Sequence, residues 1–248
     1  MVLQKNKSYL GLWLAIAILL LWLSSGLFLM AFPLSQMSWI AIAILVGCRS
    51  FLHTGLFILA HDAIHGNLVP HNLLLNQKIG QITVLLYAYL SYENCQNNHK
   101  NHHLNPAHIG DPDFHDGVHC HPILWYYKFL CNYFSVAQFI KFLGVIALLS
   151  LFFHTLFDVA YLNLLLFFLI PLVLSSLQLF FFGTYLPHGK ATSWPNRTHP
   201  THFLGNCWSL LTCYHFGSYH EEHHAFPQIP WFQLPQAIFI SQSHQKLL

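Results

Sequence analysis

The sequence predicts an all-α integral membrane fold: four transmembrane helices, one short re-entrant or interfacial helix, and a histidine-rich cap at one membrane face. Three observations predict it. Of the 248 residues, 55% are hydrophobic and only 7% charged, against roughly 25% charged in soluble domains, so the chain cannot clothe itself in a soluble surface. Four apolar stretches read as crossings of a hydrocarbon core about 30 Å thick. Three clusters of histidines at helical spacing stand beside those stretches.

Residues 1–8 are polar and carry Lys5 and Lys7; the apolar run from Leu10 to Phe32 is the first span. A turn from Pro33 to Gln36 leads to the second, Met37 to Ala60, which runs directly into His61. It contains Arg49, its one charge, and His53. An arginine inside a span is costly and usually faces protein or a polar cavity. Ile79 to Leu90 is apolar but too short to cross, and reads as the re-entrant or interfacial helix that delivers the chain to His99. From Asn105 to Pro122 the sequence is loop-like, with Gly110, Asp111, Pro112, Asp113 and Gly117. Lys141 marks the entry of the third span, whose apolar centre is Phe142 to Phe153, with an extension beyond those bounds. A turn with Asp158 separates it from the fourth, Leu162 to Leu186. A polar loop follows to about Gly205, then Cys207 to Tyr219 leads into His220, and the tail holds Trp231 and Phe232 as interfacial residues. With no internal repeat and no linker, residues 1–248 read as one domain.

An even number of crossings puts every histidine cluster on the side of the N-terminus. Nine of the ten basic residues (Lys5, Lys7, Lys78, Lys100, Lys128, Lys141, Lys190, Arg197, Lys246) fall on or at that side, and the tenth is Arg49. By the positive-inside rule that side is cytoplasmic. The six cysteines form no C-x-x-C pair, which fits a reducing compartment and argues against a disulfide scaffold or zinc ribbon. A net charge of +2 gives no basis for a nucleic-acid partner, and the first apolar run lacks a cleavable-signal pattern.

The clusters are His61-Asp62-Ala63-Ile64-His65, His99-Lys100-Asn101-His102-His103 and His220-Glu221-Glu222-His223-His224. Residues three and four apart share a helix face, so each cluster can aim two or three imidazoles at one point. One such cluster alone is weak evidence; three beside membrane spans are not. Eight nitrogens exceed the needs of one ion and indicate a two-metal centre. Neutral imidazole suits iron, copper, zinc and nickel, and spacing alone does not choose among them. Zinc sites take three or four protein ligands, and the Glu-x-x-His pairs of carboxylate-bridged di-iron bundles are absent. A histidine-rich pair of irons fits best. A metal transporter would place its ligands near the bilayer midplane, where this chain offers only Arg49 and His53. Metals at the membrane edge suit an enzyme that takes electrons from a soluble donor and an apolar substrate from the lipid.

These boxes, in this order, resemble those of the membrane fatty-acid desaturase and hydroxylase superfamily. The chain resembles more specifically the bacterial-type β-carotene ketolases, over roughly residues 55–235. The matching segments are Ala60 to Gly66, Asp111-Pro112-Asp113-Phe114, Phe182-Gly183-Thr184-Tyr185-Leu186-Pro187-His188, Leu210 to Gly217, and Tyr219-His220 through His224 to Pro227 and Pro230-Trp231. The resemblance implies a cytoplasmic di-iron cap with two Fe2+ ions, O2 as co-substrate and a reduced electron donor, for which a ferredoxin-like protein fits. It implies oxidation of the C4 methylene of a β-ionone ring by two successive hydroxylations and loss of water. β-Carotene would give echinenone and canthaxanthin, and zeaxanthin-type rings astaxanthin. It adds His188 as a ninth ligand. His215 stands close enough to the third box to be a tenth, or to orient another ligand. Asp62 and Asp113 can hold imidazoles from behind, or serve as capping or loop residues. His108, His115, His119 and His121 lie outside any matched box and read as loop residues. A β-carotene hydroxylase or fatty-acid desaturase would share the boxes; the contexts Leu186-Pro187-His188 and Leu211-Thr212-Cys213 favour ketolase. The phenylalanine-rich spans are expected to form a tunnel for the polyene.

Overall fold

The uncharged, leucine-rich run after Tyr9 folds as α1, Leu10–Ala31, and the chain turns through Pro33 into α2, Trp39–His65. In the computed structural model, residues 9–117, 120–157, 161–189 and 203–238 are described, and no strand occurs among them. Ser38 caps α2 by accepting the Ala41 N–H at 3.2 Å, and Gly66, at φ 71°, ends it in the left-handed conformation glycine adopts without strain. At about 1.5 Å per residue, the 27 residues of α2 reach about 40 Å. That exceeds a hydrocarbon core, so the turn bearing His61 and His65 stands beyond it. Two further helices are long and apolar enough to cross: α6, Val136–Phe157, and α7, the continuous run Tyr161–His188. This is an all-α integral membrane protein with four such helices among the described residues.

Between these lie α3, Leu73–Ala88, α4, Tyr92–Leu104, and α5, Pro122–Tyr133. The short apolar helix therefore begins six residues before Ile79. Asn72 caps it, accepting the Leu75 N–H at 2.9 Å, and Leu73 and Leu74 are exposed, an arrangement that suits an apolar interface. Its 16 residues span about 24 Å, too short to cross. Asn76 seats it on the end of α2 by donating to the Ala63 carbonyl at 2.7 Å. An added Cβ at Gly80 would lie 2.8 Å from the Ala63 Cβ and 2.4 Å from the Tyr92 ring, so only glycine lets α2, α3 and α4 meet there. The third span is longer at both ends than its apolar centre, Phe142 to Phe153, indicated. Ser135 accepts from the Gln138 N–H at 3.3 Å and so starts the helix in polar sequence.

Two prolines shape α7. Proline lacks an N–H, and its ring crowds the carbonyl four residues back. The helix widens into a π-helical turn before each: Leu165–Leu169 ahead of Pro171, and Leu179–Tyr185 ahead of Pro187. The Phe167 carbonyl, four residues before Pro171, accepts from Arg49 Nε at 3.1 Å. Arg49 also donates to the Trp22 carbonyl and to Ser25 Oγ, and its guanidinium lies 5.1 Å from the Trp22 ring centre. Arg49 thus faces protein and ties α1, α2 and α7 together. His53 does similar work, accepting from the Trp22 indole at 3.1 Å and donating to the Tyr87 carbonyl at 2.8 Å.

Beyond α7 come α8, Phe203–Cys213, and α9, His220–Ala225. Gly11, at the start of α1, abuts the Leu68 carbonyl just past the end of α2. The N-terminal end of α1 and the histidine-bearing end of α2 therefore lie on one side.

Candidate metal centre

Four helices bring the nine histidines together. The end of α2 carries His61 and His65, and α4 carries His99, His102 and His103. His188 closes α7, and α9 carries His220, His223 and His224. They divide into two groups, in each of which the ligand atoms lie within 4.8 Å of one another: His61, His65, His99, His103 and His223, and then His102, His188, His220 and His224. Each H-x-x-H-H box is split the same way. Its first and last rings, four residues apart, go to one group and the ring between them to the other. The two boxes make the choice oppositely, so α4 gives two rings to the first group and α9 gives two to the second.

The Nε2 atoms point at one another. His65 and His99 are 2.7 Å apart, His99 and His103 3.1 Å, and His103 and His223 3.0 Å. In the second group, His188 and His220 are 2.9 Å apart, His220 and His224 2.9 Å, and His224 and His102 3.1 Å. One Nε2 carries a single proton or a single lone pair, so it cannot satisfy the two in-plane contacts that His99, His103, His220 and His224 each make. With metal–nitrogen bonds of about 2.1 Å, neighbouring nitrogens on one ion sit about 3.0–3.4 Å apart. The spacing is that of ligands around an ion, and the residues fit one metal per group.

The rings are prepared as neutral donors. Burial, reinforced by neighbouring rings, holds His99, His220 and His223 well below the usual imidazole pKa; His103 is pushed down to about 4 and His224 to about 2. His102 differs: burial opposes its charge, but Asp113 and Asp111 outweigh that and raise it. Both Asp111 oxygens lie 2.9 Å from His102 Nδ1, which keeps the proton there and turns the Nε2 lone pair to its group. Asp111 is itself fixed by the N–H groups of Ala107 and Asp113, at 2.9 and 2.8 Å. In the other group Asp62 Oδ1 stands 3.3 Å from His61 Nδ1, while Asp62 Oδ2 accepts the Trp231 N–H at 3.0 Å. Carboxylates behind ligating imidazoles orient the ring and raise its basicity.

One space faces this cluster and a second lies beside it, sharing part of its wall. A pocket of about 60 Å³ is lined by His61, His99, His102, His220 and His223, so it faces both groups. A larger cavity of about 440 Å³, walled by Tyr87, Phe134, Phe142 and Leu172 among others, is almost wholly apolar. Phe57, Phe129, Tyr133 and Leu179 line both spaces.

The fatty acid desaturase family model matches residues 37–238. The chain belongs to the fatty acid desaturase family. Among curated relatives of this family member, a beta-carotene ketolase of Paracoccus sp. (strain PC1) is 36% identical over 239 residues, 93% of either chain. A beta-carotene ketolase of Paracoccus sp. (strain N81106 / MBIC 01143) is 35% identical, over 90% of this chain and 86% of its own. A zeaxanthin 4-ketolase of Chlamydomonas reinhardtii is 35% identical over 91% of this chain, which spans about half, 52%, of that protein. No solved structure matches significantly.

In this desaturase-family chain the nine histidines read as ligands converge. His215 joins neither group: it is buried, with Nδ1 3.1 Å from Ser209 Oγ, and follows Tyr214 at positive φ where α8 ends. Asp62 stands beside the His61 ring, with Oδ1 3.3 Å from Nδ1. Asp113 is displaced from that role, with Oδ2 3.9 Å from His102 Nδ1 and Oδ1 accepting from the Tyr133 hydroxyl at 2.8 Å. Sequence reasoning missed Asp111 as the direct partner of His102, although it opens the Asp111-Pro112-Asp113-Phe114 segment only nine residues on. His108, His115 and His121 lie outside both groups, and His119 lies outside the described residues.

Proposed function

We propose that the chain is a carotenoid 4-ketolase that oxidises the C4 methylene of β-ionone rings to a ketone. β-Carotene would pass through echinenone to canthaxanthin, and 3-hydroxylated rings would be accepted as well. The observation that carries this reading is a nine-imidazole double site facing a pocket that shares its wall with a large apolar cavity, in a chain that matches beta-carotene ketolases over nearly its whole length. Two irons held by the two groups would supply the activation of O2 and the removal of ring hydrogen. The protein's own part is positional. Phe57, Phe129, Tyr133 and Leu179 admit the ring end of the polyene to the pocket, hold its reacting carbon before both groups and exclude bulk water. Asp62 and Asp111 hold the ligand rings in the ligating tautomer. The remainder of the polyene runs into the apolar cavity and outward to the lipid.

The histidine end would face the cytoplasm, as the basic residues indicate, where a soluble, ferredoxin-like protein could deliver electrons. The whole chain acts as one domain in this reading, since the ligands come from all three thirds of it. Expression in a β-carotene-producing bacterium tests it. A red-shifted pigment whose mass gains one oxygen and loses two hydrogens per ring supports the ketolase. An unshifted chromophore with added hydroxyls indicates a hydroxylase, and unaltered carotenoid with altered lipid double bonds a desaturase. Purified protein should retain about two irons; loosely held, exchangeable zinc would indicate a transporter.

A further inference from the structure

Thr184 lines the metal-facing pocket and is only 4% exposed. Threonine in a helix normally donates its hydroxyl to the carbonyl four residues back. Thr54, Thr83, Thr155 and Thr212 all do so, at 3.1, 2.9, 2.8 and 2.9 Å. Thr184 makes no such bond, and its hydroxyl has no partner among the described residues. The reason lies in the backbone. Thr184 sits in the π-helical turn Leu179–Tyr185 that Pro187 imposes, where the wider winding moves the usual acceptor away. A buried hydroxyl without a partner is costly, and one that faces a binding pocket is explained by a ligand that supplies the partner.

The other hydroxyl and imidazole groups on the wall are committed, and Asp113 holds Tyr133 through Oδ1 with Oδ2 turned toward His102 at 3.9 Å. The histidine rings converge on the two ligand groups, the Tyr133 hydroxyl donates to Asp113, and the Cys213 thiol is a weak donor. Thr184 is left as the uncommitted hydroxyl on the pocket wall. Resting on the ketolase reading, we propose that the Thr184 hydroxyl receives a hydroxyl carried by the substrate ring. It would therefore set the turnover of rings that already bear oxygen relative to bare rings. That hydroxyl has two possible sources: the C4 alcohol left by the first hydroxylation, or the C3 hydroxyl of a zeaxanthin-type ring. A bare ring offers Thr184 nothing, so removing the hydroxyl penalises oxygenated rings selectively.

The test compares the full-length protein in membranes with Thr184→Val, which replaces the hydroxyl by a methyl group, and Thr184→Ser, which keeps it. β-Carotene and zeaxanthin are supplied separately, and membrane protein and iron are quantified for each variant. For T184V the ratio of oxygenated-ring to bare-ring turnover should fall about three- to tenfold, the worth of one neutral hydrogen bond. T184S should keep the wild-type ratio. If the C4 alcohol is the source, T184V accumulates 4-hydroxylated carotenoid from β-carotene. If the C3 hydroxyl is the source, zeaxanthin consumption falls relative to β-carotene and no 4-hydroxylated product accumulates. Thr184→Ala, which adds no bulk, must shift the same ratio even if T184V inserts poorly. Unchanged ratios with no accumulation of 4-hydroxylated carotenoid in T184V and T184A, or equal losses on both pigments at normal iron content without such accumulation, would overturn the proposal. Wild-type protein that converts neither pigment would overturn the ketolase reading, and this proposal with it.

Discussion

Replacing Asp111 with asparagine should weaken one metal ion and spare the other. Both Asp111 oxygens lie 2.9 Å from His102 Nδ1, and His102 belongs to the group formed with His188, His220 and His224. Asparagine preserves the shape but keeps an oxygen for only one of the Ala107 and Asp113 amides, which donate to different Asp111 oxygens. It loses the charge and puts an N–H₂ where an acceptor stood, so the His102 tautomer is no longer enforced. Loss of such a partner typically lowers metal affinity 10- to 100-fold, or about 1.4–2.8 kcal/mol. The five rings of the other group make no contact with Asp111 of this kind, and their ion should be unaffected.

The assay is competitive removal of ferrous iron from detergent-purified protein by a graded chelator. Wild type should release two irons over one range of chelator strength. Asp111→Asn should release the first at 10- to 100-fold lower chelator activity and the second where wild type does. Asp62→Asn, acting on His61, should weaken the ion of the other group instead, and the double variant should lose both early. Simultaneous release of both irons in the single Asp111 variant would refute the division into two groups. So would release indistinguishable from wild type.

Three further outcomes follow from packing. Leu179→Trp adds bulk to the wall that the two cavities share; carotenoid turnover should fall about a hundredfold through misplacement of the ring while iron content stays at the wild-type level, measured on the same preparation. Gly80→Val forces side-chain atoms into Ala63 and the Tyr92 ring; an overpacking cost of about 1–3 kcal/mol should appear as lower thermal stability in detergent, with iron lost as α4 shifts. Arg49→Leu leaves the Phe167 carbonyl, which Pro171 has deprived of its helical donor, without a partner. It should cost about 3 kcal/mol or more, read as a lowered melting temperature with the iron-to-protein ratio unchanged in the folded fraction.

Eight of the nine convergent histidines were legible because they recur at local helical spacing, which a sequence displays directly, whereas His188 came only with the family resemblance. The four spans were legible for the same reason that the chain avoids charge. Element ends were less so: α6 begins at Val136 and α3 at Leu73 because Ser135 and Asn72 cap them, and a cap competes poorly with an apolar run as a signal. Asp111 and Asp113 could not be told apart, since two carboxylates flanking Pro112 point by turn geometry and not by a period. The π-helical turns left only their prolines as a trace. Pro171 and Pro187 are visible in the sequence, but the freed Phe167 carbonyl acquires meaning only once Arg49 is seen opposite it.

The allocation of rings to ions lay furthest from the sequence, and the reason is physical. In either H-x-x-H-H box the first and last rings stand one above the other, and the middle one is rotated about 60° from the first. A helix therefore straddles two ions when its axis lies beside the gap between them. Which ion receives the pair depends on the rotation of that helix about its axis, a tertiary property. Here α4 and α9 take opposite choices, so that two rings from one meet one ring from the other in each group. Had both chosen alike, their five-residue boxes would crowd four nitrogens onto one ion and leave two for the other. The opposite choice balances the sites, with α2 completing one group and His188 of α7 the other. His188, which stands apart from every box, is thus the counterpart of the His61 and His65 pair.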